Sequence, residues 1–169
     1  TILLDEVNMD IRKNLLTRCT KILDGPMSLD KAILVAVLAH AGQEDKGRNS
    51  YIRHPLRVME KLNSEYEMAI AVCHDVVEDT DITLEDLTEL GFTLDQVKAL
   101  DALTKRSGEV YSDAIERVQQ SYVAIKVKIQ DIMDNSQLWR LKNRKFTEKD
   151  MIRQQHYIDA LTVLGGLVK

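Results

Sequence analysis

Two cysteines and two prolines in 169 residues leave the chain with few covalent or conformational staples. Cys19 and Cys73 are too few for a disulfide framework, Cys73 falls among the apolar positions of its segment, and neither reads as a nucleophile. Pro26 and Pro55 fall at plausible helix starts, not interiors. No apolar run approaches the ~20 residues needed to span a bilayer. The first segment carries Asp5 and Glu6 within its apolar start and has neither the basic region nor the cleavage pattern of a signal peptide, so a soluble cytoplasmic protein is expected. Repeats, low-complexity tracts and linkers are absent, and no segment alternates with period two for long enough to suggest a strand. The net charge of −4, from 23 basic and 27 acidic residues, argues against a general nucleic-acid surface. A compact anionic ligand met by a metal and a few local lysines stays compatible with it.

What remains is a chain full of helix signals. With 44% hydrophobic residues it can bury a sizeable core, and one domain over residues 1–169 is expected. Ser28 opens the apolar run LDKAILVAVLAHAG, and Pro55 opens LRVMEKL. Thr83 and Thr93 each begin a capping box, as does Thr147 before EKDMIRQQHYIDALTVL, which ends at Gly165-Gly166. The expected fold is an all-α bundle with loops near 42–53 and 104–111. Specificity is expected on those loops, since binding residues concentrate there. Lys105 and Arg106 in the second loop read equally well as charges answering the dipole of the preceding helix.

The run AIAVCHDVVEDTD carries the strongest chemistry. Placed on one helix at about 100° per residue, His74, Asp75, Glu78 and Asp79 share an arc opposite Ala69, Ile70, Val72, Cys73, Val76 and Val77. If that arc is covered, its carboxylates repel one another and lose solvation unless a cation joins them. An amphipathic helix with a solvated outer face is the other reading of the same stripe. Three of the four histidines, His40, His54 and His74, cluster in the first half of the chain, as a ligand set requires. Downstream, SYVAIKVKIQDIMDNSQLWRLK sets Ile125, Ile129, Ile132 and Met133 on one helical face, and Lys128, Asp131, Asp134, Asn135 and Leu138 on another. Asp131 is thus available as a ligand, or is part of a charged outer face. Two imidazoles with two carboxylates suit Mn, Fe or Zn, and spacing does not choose among them.

The order His54, His74-Asp75, Asp131 resembles the H…HD…D signature of the HD-domain metal phosphohydrolases. More narrowly, AHAGQ, SYIRHPLRVM, HDVVEDT and VKIQDIMDN resemble the hydrolase domain of the Rel/Spo homologues and the small alarmone hydrolases of the stringent response. The resemblance implies an HD-domain helical bundle with its motif-bearing core at about 28–142. It implies one divalent metal, most often manganese, held by His54, His74, Asp75 and Asp131. Glu78 and Asp79 match the catalytic acidic pair that positions and activates the attacking water. Lys46 and Asn135 match positions that contact the nucleotide, and His40 matches a supporting histidine beside the site. The implied activity is hydrolysis of guanosine 3′,5′-bis(diphosphate), with guanosine tetra- or pentaphosphate as the nucleotide substrate.

One stretch departs from the pattern. The family reads roughly GQxRKxGxPYIxHP where this chain reads GQEDKGRNSYIRHP, so Asp45 stands in place of an arginine, and Arg48, Asn49 and Ser50 replace the usual turn. An acid there repels a pyrophosphate unless a metal or lysine intervenes. Lys46, Arg48 and Lys128 are the candidates for meeting the phosphates. Two alternatives follow: the same chemistry on another nucleotide or phosphorylated metabolite, or a nucleotide-sensing bundle that keeps the metal without turnover.

Overall fold

The computed structural model describes residues 2–141 and 145–168, and every regular element among them is helical. In chain order these are α1 (Ile2–Asp24), α2 (Leu29–Ala39), α3 (Arg53–Met59), α4 (Glu65–Val72), α5 (Val76–Asp79), α6 (Leu84–Glu89), α7 (Leu94–Leu103), α8 (Tyr111–Val118), α9 (Tyr122–Asn135), a 3-10 turn (Leu138–Leu141) and α10 (Glu148–Gly165). The all-α expectation holds. No helix is long and apolar enough to cross a membrane among the described residues.

The caps lie where the sequence puts them. Ser28 Oγ accepts the Lys31 N–H at 3.1 Å, and Thr83, Thr93 and Thr147 close reciprocal capping boxes with Asp86, Gln96 and Asp150. Pro55 sits in the first turn of α3, where its missing N–H costs no helical bond, whereas Pro26 lies in the connection ahead of α2. Burial then assembles the helices. Ile70 of α4, Leu87 of α6, Leu100 of α7, Ile132 of α9 and Leu164 of α10 are all but fully enclosed, each gaining about 1.5–3 kcal/mol over exposure. α4 is covered by α2 and α3, and α3 also lies on α9, so the two histidine-bearing stretches are brought against the Asp131 helix.

The wheel drawn for α9 needs correction. Ile125 and Ile132 are buried as expected, but Met133 is 52% exposed, while Asp131 and Asp134 are buried. The charged face is therefore turned inward, because α3 and the His74 segment supply partners that no single segment reveals.

Candidate metal centre

His74-Asp75 does not lie inside one helix: α4 stops at Val72 and α5 starts at Val76. The His74 ring causes the break. Its Nδ1–H donates to the Ala71 carbonyl at 2.7 Å, taking an acceptor that a continuing helix would give to the Asp75 N–H. The backbone tightens instead, with Cys73 N–H to Ile70 O and Val76 N–H to Cys73 O. The bend turns the imidazole inward, and because Nδ1 carries the proton, Nε2 presents its lone pair.

That lone pair has company. His54 Nε2 lies 3.1 Å from Asp131 Oδ1 and 3.5 Å from Asp75 Oδ2, and His74 Nε2 lies 3.2 Å from Asp75 Oδ2 and 3.6 Å from Asp131 Oδ1. Donor atoms around a small divalent cation at about 2.1 Å sit about 3.0–3.4 Å apart, so the four atoms have the spacing of a coordination shell. Both Nε2 atoms are buried without a hydrogen-bond partner. His54, His74 and Asp131 form a cluster of metal-ligating atoms, with the Asp75 carboxylate beside it. The residues fit a divalent metal.

Charge tells the same story. Burial opposes positive charge at His54, but the Asp134 hydrogen bond and the charges of Asp131 and Asp75 overcome it and hold the imidazole above its ordinary value, a negative field that a bound cation would equally answer. Burial likewise works against the Asp131 carboxylate, yet Lys128 and the two imidazoles hold it well below the usual range. Lys128 Nζ donates to Asp131 Oδ2 at 2.8 Å and is held above its ordinary value by that charge despite burial. Asn135 Nδ2 donates to Asp131 Oδ1 at 2.5 Å.

Asp75 and Asp131 open onto a cavity of about 440 Å³, which Glu78, Asp79, Lys46, Lys105, Lys128 and Asn135 also line. Glu78 is held above the ordinary carboxylate range by desolvation first; the Lys105 N–H, donated to its Oε2 at 2.8 Å, opposes this and the charge of Asp75 adds to it. Two sequence candidates outside the ligand set do not line the cavity, and of these His40 stands beside the site in a supporting position, through Tyr51. His40 is buried at the end of α2, its Nδ1 2.8 Å from Gln43 Oε1 and its ring against Tyr51. Arg48 is exposed, at φ 59°, and is not among the cavity-lining residues. Asp45 explains that conformation: its Oδ1 accepts the N–H groups of Gly47 and Asn49 at 2.8 and 2.9 Å, closing the loop under Arg48.

Sequence reading assigned no role to several groups that matter here. The Tyr51 hydroxyl lies 2.6 Å from Asp75 Oδ2 and 2.8 Å from Asp79 Oδ2, one proton between two carboxylates. Its position inside SYIRHP was the available signal. Asp134 accepts from His54 and Arg57, and Tyr111, Arg153 and Tyr157 line the far wall of the cavity. Tyr111 closes the 104–111 loop where specificity was expected and Asp134 lies in the VKIQDIMDN stretch, whereas nothing local marks Arg153 and Tyr157, since α10 reaches the cavity only through the tertiary fold.

No family model matches the chain. Over 109 residues it is 31% identical to the bifunctional (p)ppGpp synthase/hydrolase SpoT of Escherichia coli (strain K12), covering 62% of this chain and 15% of that protein. Over 122 residues it is 30% identical to a guanosine-3′,5′-bis(diphosphate) 3′-pyrophosphohydrolase of Vibrio cholerae, covering 64% of this chain and 17% of that protein. A probable GTP pyrophosphokinase of Mycobacterium leprae is 33% identical over 125 residues, 66% of this chain and 16% of that protein. The chain thus spans about a sixth of the length of these curated relatives. A solved structure of a metazoan ortholog of SpoT that hydrolyses ppGpp superposes with a TM-score of 0.66 at 22% identity, over 79% of this chain and 84% of that one. The chain resembles the HD-type Rel/Spo hydrolases in sequence and shares the helical fold of that metazoan structure.

Proposed function

We propose that the chain is a metal-dependent pyrophosphohydrolase acting on guanosine 3′,5′-bis(diphosphate), with manganese(II) as its metal. The observation that carries this reading is the convergence of His54, His74, Asp75 and Asp131 at a cavity that also holds Glu78, Asp79 and three lysines. These four residues would hold the cation, whose mixed nitrogen and oxygen shell suits manganese. When bound, a divalent cation there supplies Lewis acidity toward a phosphoryl oxygen and toward water.

The remaining work falls to the chain's own side chains. Glu78, held above the ordinary carboxylate range at the cavity wall, orients the attacking water and takes its proton. Tyr51 keeps Asp75 and Asp79 at fixed separation by sharing its hydroxyl proton between them. Lys46, Lys105 and Lys128 bring positive charge to a tetraphosphate-bearing ligand, and Asn135 offers an amide beside Asp131. Asp45 spends one carboxylate oxygen on its own loop, so its departure from the family pattern serves loop closure.

The test is pyrophosphate release from guanosine tetraphosphate by the manganese-loaded protein, alongside a panel of other nucleotide phosphates. Cleavage of guanosine tetraphosphate at its 3′ diphosphate is expected. Cleavage of another nucleotide alone removes the alarmone and leaves the hydrolase. Inertness of the fully metallated protein toward every phosphate compound removes the enzyme.

A further inference from the structure

Asp134 is buried near the end of α9 and faces the side of His54 turned away from the cluster. Its Oδ2 accepts the His54 Nδ1–H at 2.7 Å. Arg57, one turn beyond His54 on α3, grips the same carboxylate with two N–H groups: Nε–H to Oδ1 at 2.6 Å and Nη2–H to Oδ2 at 2.9 Å. Outside this fork the guanidinium lies 5.4 Å from the centroid of the Trp139 ring. Neither Arg57 nor Asp134 lines the part of the cluster where donor atoms converge.

An imidazole has two neutral tautomers, and only the one protonated at Nδ1 leaves Nε2 free to donate a lone pair. A carboxylate behind Nδ1–H selects that tautomer, fixes the ring plane and strengthens Nε2 as a donor. A bidentate guanidinium holds the carboxylate in plane and compensates the charge it buries. The second imidazole is backed differently. His74 Nδ1 meets the neutral Ala71 carbonyl, so the two histidines are unequal, and His54 is the one under charged control.

We propose that Arg57 and Asp134 are positioning residues: their fork locks His54 with Nε2 bare toward Asp75 and Asp131 and thereby sets how tightly the centre holds a divalent cation. This rests on the metal-centre reading above. The experiment strips the full chain of metal, titrates it with manganese(II) alone against a competing chelator, and melts each metal-free protein in parallel. Asp134→Asn is expected to weaken manganese by about 10–100-fold, the range for lost backing of a metal-bound histidine. Arg57→Gln should weaken it less, and Arg57→Lys, which keeps the charge without the fork, should fall between Arg57→Gln and wild type. In a His54→Ala background, Asp134→Asn should change manganese affinity no further.

Wild-type affinity in Asp134→Asn, or an equal loss with and without His54, overturns the positioning role while leaving the metal centre standing. If Asp134→Asn does not fold, Arg57→Gln decides alone, because its side chain is 27% exposed and its loss leaves Asp134 still paired with His54; unchanged affinity there overturns the role. A wild-type protein that binds no manganese overturns the metal centre and this inference with it.

Discussion

The inner and outer halves of the cavity are built on different terms. Behind the inner end, which Asp75 and Asp131 line, His54 on α3, His74 between α4 and α5, and Asp131 on α9 are nearly inaccessible, with far sides tied to Asp134, the Ala71 carbonyl and Lys128. At the outer end, Lys46 and Lys105 sit exposed on loops whose shape is held by Asp45 and Glu109. Groups that must meet one small cation need ångström placement, which packed helices supply. Groups that must meet a large flexible anion need reach, which loops supply. Substitutions inside should therefore abolish, and substitutions outside should tune.

The largest effect tests the inner end directly. Asp75→Ala should lose most of the bound metal, since Asp75 Oδ2 lies within 3.2–3.5 Å of both histidine Nε2 atoms. Elemental analysis of the purified variant beside the wild type decides it, and equal metal content would remove Asp75 from the ligand set.

One step outward, Glu78→Gln should keep the metal while turnover falls by about 10²-fold or more, the range for a lost acid or base group. The amide oxygen can still accept the Lys105 N–H, so the loop stays in place while the ability to take a proton goes. Loss of metal together with activity would instead make Glu78 a ligand.

The same inner and outer division governs what the sequence discloses. Capping boxes at Thr83, Thr93 and Thr147 are local chemistry, so the helix starts were legible. His74, Asp75 and Asp131 stood out as polar groups among apolar neighbours, but joining them with His54 into one proposed ligand set took the resemblance in the order His54, His74-Asp75, Asp131, since no local pattern links residues so far apart in the chain. The break at Cys73 was hidden, because it depends on a side chain outcompeting the backbone for one carbonyl, which a helical wheel does not represent. Asp134 read as an outward charge because its partners, His54 and Arg57, stand far back in the chain. Asp45 read only as an acid facing a phosphate, and it does line the cavity; its second task, accepting the Gly47 and Asn49 N–H groups, was hidden because those bonds belong to a loop conformation and not to a periodic element.

At the outer end, the two cations of the first loop should separate. Lys46 lines the cavity and Arg48 does not, so Lys46→Ala should raise KM for guanosine tetraphosphate by several-fold with little change in kcat, an effect worth about 1 kcal/mol for one exposed charge. Arg48→Ala should leave KM within about twofold, as for a surface site away from the ligand. Steady-state kinetics on both variants sharpens the division, and a larger effect from Arg48 would place that side chain over the mouth of the cavity when substrate binds.

The smallest effect concerns the second loop. The Glu109 carboxylate accepts the Arg106 N–H at 2.8 Å and pairs with Arg117, which also donates to the Thr104 carbonyl at 2.8 Å. The hydrogen bonds from Arg117 and then from Arg106 push the Glu109 carboxyl down to about 2. A depressed carboxyl contributes its stabilisation in full above the unfolded value of about 4.3, and loses it as pH falls from there through about 2. Acid in that window should therefore loosen residues 104–110 before the buried helices respond. Amide exchange decides it: protection at Arg106 should fall between pH 4.5 and 2.5 in the wild type, and should start lower and vary less in Glu109→Gln, which has no proton to gain. Equal pH dependence in the two proteins would move the control of this loop to its other contacts, the Arg106 bonds to Asp101 and Thr104.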